Sequence, residues 1–241
     1  MTKRTGLFIN ADDFCLSDSI TNAIVELSAK GKIDSTSVVV NNDLLNLKEN
    51  LMRLNNFETG LHLNLCEGKP VTEIAQVKSL VNNEGIFYNY KILWIRYIIG
   101  LVKKSELFLE ITNQYKLLEK YTKVSHVDSH KHIHCYPFIG ENILKCLHTI
   151  GVMNIRNPYP VLYKQKKYLI LRCFCSRRRW RKLVSNFNTP EGLISIYKLD
   201  NLSDVMEDFQ HRNLEIMAHP SIENEGGYLD NNKEFNILLN R

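Results

Sequence analysis

Gly60-Leu61-His62-Leu63-Asn64-Leu65-Cys66 alternates without a break: Leu61, Leu63 and Leu65 fall on one side of an extended chain, His62, Asn64 and Cys66 on the other. Such a strand gives one apolar face to a core and one face that can carry chemistry. A second alternation starts at Val124, with His126, Asp128 and His130 sharing one side and Ser125, Val127 and Ser129 the other. Outward from these, Leu7-Phe8-Ile9 runs into Asn10-Ala11-Asp12-Asp13, and a helix that Ser17 or Asp18 can cap follows, with Ile20, Ile24 and Leu27 on one face and Gly31 at its end. Ser37-Val38-Val39-Val40 predicts the next strand, and Leu44, Leu47, Leu51 and Leu54 the next helix. Helical spacing returns from Ser105 (Phe108, Ile111, Tyr115, Leu118) and after Pro137 (Ile139, Ile143, Leu147, Ile150). Gly192 to Tyr197 and Leu214 to Ala218 read as two more strands with a helix between them. Alternating strands and helices predict a parallel α/β architecture, and polar residues gathered at strand C-terminal ends suit a β/α barrel formed as one domain over residues 1–241.

Composition agrees with a folded chain. The 241 residues are 44% hydrophobic and 24% charged, which excludes collagen-like and disordered classes. The net charge of +5 suits anionic partners without itself indicating nucleic acid, and no nucleic-acid partner is expected. Too few apolar residues precede Asp12 for a secretory signal, so the expected location is the cytoplasm. Cys15, Cys66, Cys135, Cys146, Cys173 and Cys175 form no C-x-x-C pair, which argues against a zinc ribbon or a thioredoxin-like motif and for reduced thiols.

Histidines are unevenly spread: His62, His126, His130, His132 and His134 are five of the eight. In a barrel the Asp12-Asp13 pair, His62 and the segment His126-Val127-Asp128-Ser129-His130-Lys131-His132-Ile133-His134 would converge on one rim. One Asp and two His make a borderline-hard divalent site with open positions for water and a carbonyl oxygen, and the second carboxylate of the pair could accept the water's proton. The plain alternative is that the Asp pair caps the following helix while the histidines pack as structural residues. Other metal readings are His126-x-Asp128 as half of an iron(II) facial triad, and His130-x-His132 as the pair of an amidohydrolase-type barrel.

Five stretches carry a resemblance: Asn10-Ala11-Asp12-Asp13-Phe14, Gly60-Leu61-His62-Leu63-Asn64-Leu65, Gly68-Lys69-Pro70, His126 to His134, and Glu215-Ile216-Met217-Ala218-His219-Pro220. In this order the chain resembles the YdjC-like carbohydrate deacetylases, a group that includes the chitooligosaccharide deacetylases. The resemblance implies a distorted β/α (TIM-like) barrel and one divalent metal ion, Mg or Zn, held by Asp13, His62 and His130. It further implies Asp12 as general base and an N-acetylated sugar, free or lipid-linked, as substrate. His219 stands where such a deacetylase would keep its general acid; Asp128 could orient a ligand imidazole, and His134 is placed behind the ligands or against substrate. A relative that keeps the fold and binds sugar without turnover is the reading from a different class.

Two features depart from the family pattern. Cys15 stands where relatives usually have Gly after Asp-Asp-Phe, which could narrow the site or favour softer metals. The sequence ends at Arg241, sooner after His219 than relatives commonly do, which leaves barrel closure on that side, and the substrate wall it would supply, an open expectation. Two segments look particular to this chain: residues 86–104, aromatic, basic-flanked and too interrupted by charge to span a bilayer, and residues 168–182, which run into Arg177-Arg178-Arg179-Trp180-Arg181-Lys182. They read either as a lid and a solvated basic helix, or as a peripheral membrane contact suited to a lipid-linked sugar; a homodimer is a further open expectation.

Overall fold

The computed structural model describes residues 6–42, 46–160, 176–199, 202–209, 211–223 and 231–240. In chain order the elements are β1 (Leu7–Phe14), α1 (Asp18–Ala29), β2 (Ser35–Val38), α2 (Leu47–Arg53), β3 (Thr59–Leu63), α3 (Tyr90–Ile98), α4 (Lys104–Glu119), β4 (Val124–Ser129), α5 (Ile139–Thr149), α6 (Arg177–Leu183), β5 (Gly192–Ser195), α7 (Leu202–Phe209), β6 (Leu214–Ala218) and α8 (Asn231–Leu239). The six strands form one sheet in the order β4-β3-β2-β1-β6-β5, and every pairing is parallel. Residues 154–160 cross the gap between the edge strands β4 and β5 through isolated parallel bridges, Val127 to Ile155 and Pro160 to Leu193. The result is the expected α/β fold, a sheet curled toward a barrel whose far wall is held by single bridges.

Local signals explain most boundaries. Ser17 caps α1, its Oγ accepting from the Ile20 N–H at 3.2 Å, and Gly31 turns the chain out with φ +64. Ile20, Ile24 and Leu27 are buried against the sheet, as are Ile139, Ile143 and Leu147 of α5. The helix α3 was not legible as a helix, because its aromatic and isoleucine run is apolar on both faces and leaves no 3.6-residue stripe. Leu44, read as part of the second helix, and residues 168–175 of the basic segment lie outside the described residues.

Behind β4 the chain makes a tight turn, His130–Cys135, in which Lys131 (φ 53) and His132 (φ 55) both take left-handed backbone conformations. His134 pins this turn. Its backbone N–H donates to Ser129 Oγ at 3.2 Å, its Nδ1 is bonded to the same hydroxyl, and its Nε2 donates to the Arg156 carbonyl at 3.3 Å. These partners suit a neutral imidazole, and burial first, then the Arg156 and His62 charges, push its pKa down to about 4. Gly140 in α5 lets the helix approach the turn, since a Cβ there would overlap the His134 carbonyl.

Two outcomes are expected. Gly140→Ala should lower stability by about 2 kcal/mol, with Tm falling by roughly 5 °C in a thermal melt. For His134 the folded pKa lies below the unfolded value near 6.5, so its contribution is complete above pH of about 6.5 and is lost as pH falls toward about 4. Urea unfolding at several pH values should therefore show a steeper acid loss for the native chain than for His134→Gln; equal slopes would remove His134 from the account.

Candidate metal centre

Asp12 and Asp13 are neighbours on β1, and in a regular strand their side chains would point to opposite faces. The pairing register of β1 with β2 slips between Ala11 and Phe14, and Asp13 has φ +69. This bulge turns both carboxylates into one site. Cys15 also sits at φ +69, so a side chain occupies a left-handed conformation that favours glycine. The register of β3 on β4 sets His62 directly beside Asp128.

Three ligand atoms meet. Asp13 Oδ1 is 3.2 Å from His62 Nε2 and 3.2 Å from His130 Nδ1, and those two nitrogens are 3.3 Å apart. A triangle of this size suits donors roughly 2.0–2.2 Å from one shared ion. His62 Nδ1 donates to Asp128 Oδ1 at 2.8 Å, which leaves Nε2 for a metal. Glu67 Oε2 stands 3.2 Å from His130 Nε2 and occupies the matching place behind the second imidazole.

The protonation chemistry fits an ion-binding set. Burial works against the Asp13 carboxylate, but the hydrogen bonds and charges of His130 and His62 outweigh it and hold its pKa well below the usual carboxylate range. Burial disfavours the His62 cation as well, yet Asp128 and Asp13 push its pKa well above the ordinary value. His130 is raised too, with Asp13 and Glu67 overcoming its burial. Without a metal the two imidazoles hold protons where an ion would otherwise balance the carboxylates.

Behind this triangle lies Arg156, 1% exposed. Its Nη1 donates to Asp12 Oδ2 and its Nη2 to Asp12 Oδ1, each at 2.6 Å; Nη1 is also 2.5 Å from Asp128 Oδ2, and Nε donates to Glu215 Oε1 at 2.7 Å. Asn10 Nδ2 adds a donor to Asp12 Oδ1 at 2.8 Å, and Ser37 Oγ one to Asp128 Oδ2 at 3.0 Å. Asp12, His62 and Asp128 also lie close enough to hold an ion, but both carboxylates are already engaged by the Arg156 guanidinium, so Asp13, His62 and His130 are the better set. His219 Nε2 is 3.7 Å from Asp12 Oδ2, and its buried Nδ1 meets no hydrogen-bond partner among the described residues.

Some residues read from the sequence fall elsewhere. His126 shares the inward face with Asp128, but one barrel layer lower, beside Ser37 Oγ at 3.4 Å and in the lining of a cavity of about 660 Å³ at the N-terminal end of the barrel. Gly60 makes room for its ring. The facial-triad reading of His126 and Asp128 fails on this separation. His132 is not among the clustered ligands, which removes the paired reading with His130. Burial pushes the Cys66 thiol up to about 12, a neutral form unsuited to ligation at neutral pH. Arg156 and Glu67 were missed. Arg156 sits in a segment joined by single bridges, with no periodicity to mark it, though three inward acids at strand ends already require a buried cation.

The chain is similar to known proteins over most of its length. The chain is 26% identical to a chitooligosaccharide deacetylase of Escherichia fergusonii over 226 residues, covering 89% of this chain and 81% of that one. It is 27% identical over 234 residues to a carbohydrate deacetylase of Clostridium beijerinckii, covering 93% and 82%. A crystal structure of a candidate cellobiose-phosphate cleavage protein from Enterococcus faecalis V583 superposes with a TM-score of 0.74 at 21% identity, covering 98% of this chain and 90% of that one, and shares the fold. The family model described as YdjC-like protein matches residues 6–240, and the chain belongs to that family.

Proposed function

We propose that this protein is a metal-dependent hydrolase that removes the acetyl group from an N-acetylated sugar. The observation that carries the reading is the Asp13, His62 and His130 triangle with a second carboxylate, Asp12, fixed beside it. The deacetylase relatives support the substrate class. An ion held by the triangle would supply Lewis acidity toward the acetamide oxygen and the attacking water. Two imidazole nitrogens and one carboxylate oxygen favour zinc or a similar borderline ion over magnesium.

The side chains of this chain divide the remaining work. Arg156 and Asn10 fix the plane of the Asp12 carboxylate and leave an edge of Oδ2 facing His219. Asp12 takes the proton of the attacking water as general base. His219, partly open to solvent across from Asp12, gives a proton to the departing amine nitrogen, so acetate and an amino sugar leave. Asp128 holds the His62 ring by Nδ1, and His134 supports the Arg156 carbonyl from behind. The buried thiols of Cys66 and Cys146 suit a reducing, cytoplasmic setting.

Acetate release from N-acetylglucosamine oligomers, followed together with metal content, tests this reading. Asp12→Asn should keep the ion and lose about 10²–10⁴-fold in kcat, whereas His62→Ala and His130→Ala should lose the ion. Full activity in metal-free protein, or equal metal loss in all three variants, would overturn the assignment. Protons compete with the metal at His62 and His130, whose pKa values are raised, so titration with zinc should show affinity climbing with pH across neutrality. The expected slope is between about tenfold and 100-fold per pH unit, for one or two protons displaced. A flat profile would mean that these imidazoles are not the ligands.

A further inference from the structure

The helix α3 buries Leu93 and Tyr97 and turns the rest of its apolar surface outward. Ile92, Ile95 and Ile99 follow one another at three- and four-residue steps on the exposed side, with Ile98 between them and Leu101 just beyond. Ile99 is 62% exposed and Leu101 51%. Single exposed apolar residues need no explanation, but five in ten residues form a patch that calls for a partner.

The charges around the patch identify the chemistry of that partner. Residues 85–105 and 176–185 hold nine of the 31 lysines and arginines and none of the 26 acids, so the rest of the chain carries more acids than bases. The two segments meet on one face. Trp94 Nε1 of α3 donates to the Pro137 carbonyl at 3.1 Å, just before α5. Arg179 of α6 pairs with Glu141 at the start of α5 and lies over the Phe138 ring at 5.7 Å, and Phe138 is itself 51% exposed. Isoleucines, an exposed phenylalanine and a mainly cationic rim, in which Glu141 and Glu106 pair with Arg179 and Lys103, therefore border each other.

This face also borders the candidate metal centre. The α3 segment lies in the connection from β3 to α4, and Phe138 in the connection from β4 to α5, so both belong to the C-terminal rim where His62 and His130 sit. Tyr136, which follows the turn carrying His130, packs edge-on against Tyr90 and Trp94 of α3. No helix among the described residues is long and apolar enough to cross a bilayer.

We propose that α3 and α6 form a peripheral docking surface for an anionic lipid bilayer, with the α3 isoleucines entering the headgroup boundary and the α6 arginines pairing with lipid phosphates. Lysines 91, 103 and 104 lie on the same rim and add to the attraction. Docked in this way, the rim that carries His130 faces the membrane, where a lipid-anchored sugar would present its headgroup. The docking stands independently of the proposed deacetylation, because it needs none of the metal-site residues.

Flotation of the full chain with vesicles of phosphatidylcholine containing about one third phosphatidylglycerol tests the surface. Binding is expected at low salt, with at least about tenfold weaker partition on pure phosphatidylcholine. The double variant Ile95→Glu with Ile99→Glu and the double variant Arg178→Glu with Arg181→Glu should each lower partition about tenfold or more, while their far-UV circular dichroism and acetate release from soluble sugars stay unchanged. No flotation at low salt, or binding unaffected by the isoleucine changes, would overturn the proposal. So would a dimer in light scattering that the isoleucine changes split, since the patch would then be covered by a second copy.

Discussion

The site rests on one buried guanidinium. Arg156 faces Asp12, Asp128 and Glu215 at hydrogen-bonding distance and is cut off from water. Burial disfavours its charge, but the three carboxylates outweigh burial and raise its pKa well above the ordinary value. The pairing sets geometry more than stability, because desolvating such a cluster offsets much of its Coulomb attraction. Removing the arginine would leave three acids facing one another without water, which is the severe case for buried charge. One guanidinium therefore ties carboxylates from β1, β4 and β6 to one another in the barrel interior.

One cation does not balance four acids. With Asp13 included, the barrel interior holds four carboxylates against Arg156, and burial with the neighbouring Asp12 and Asp128 charges raises the Glu215 pKa. The raised His62 and His130 pKa values belong to the same imbalance: protons collect on the imidazoles that face the excess negative charge. A divalent ion held by Asp13, His62 and His130 would relieve that excess and release the protons. The two neighbouring aspartates are thereby divided by surroundings, Asp12 taken by Arg156 and Asp13 by the imidazoles. Their separation depends on the β1 bulge, where Asp13 accepts an unfavourable left-handed backbone.

Strand alternation and helix spacing made the architecture legible, because β3, β4, α1, α4 and α5 each bury a periodic set of side chains. Asp13, His62 and His130, the candidate ligands, were legible by residue type and by their place at strand ends. What linear reading missed was height and pairing. Parity puts His126 and Asp128 on the same face, but only the barrel's layering separates the first into the basal cavity and the second against His62. Glu67 and Arg156 act through contacts from irregular connections, where no period exists to reveal a facing direction. The bulge at Asp13 is likewise a tertiary outcome, since nothing in Asp12-Asp13 alone says which side chain the strand will turn.

The barrel's two ends divide the physical tasks. At the N-terminal end, the cavity lining is largely occupied with itself: Asn188 donates to Asn154 at 3.0 Å, Asn154 to the Ser125 carbonyl at 2.7 Å, and Ser125 to the Thr59 carbonyl at 2.8 Å. These bonds stitch the single-bridge wall to the regular sheet and so hold Arg156 in register below the acids. At the C-terminal end, long connections carry the groups that must meet something outside, and apolar and cationic surface is left uncovered there. A parallel sheet imposes this asymmetry, because every strand delivers its C-terminal connection to the same rim. Reactive side chains and the surface that can bring them to a substrate are thus neighbours by topology, although their residues lie far apart in the chain.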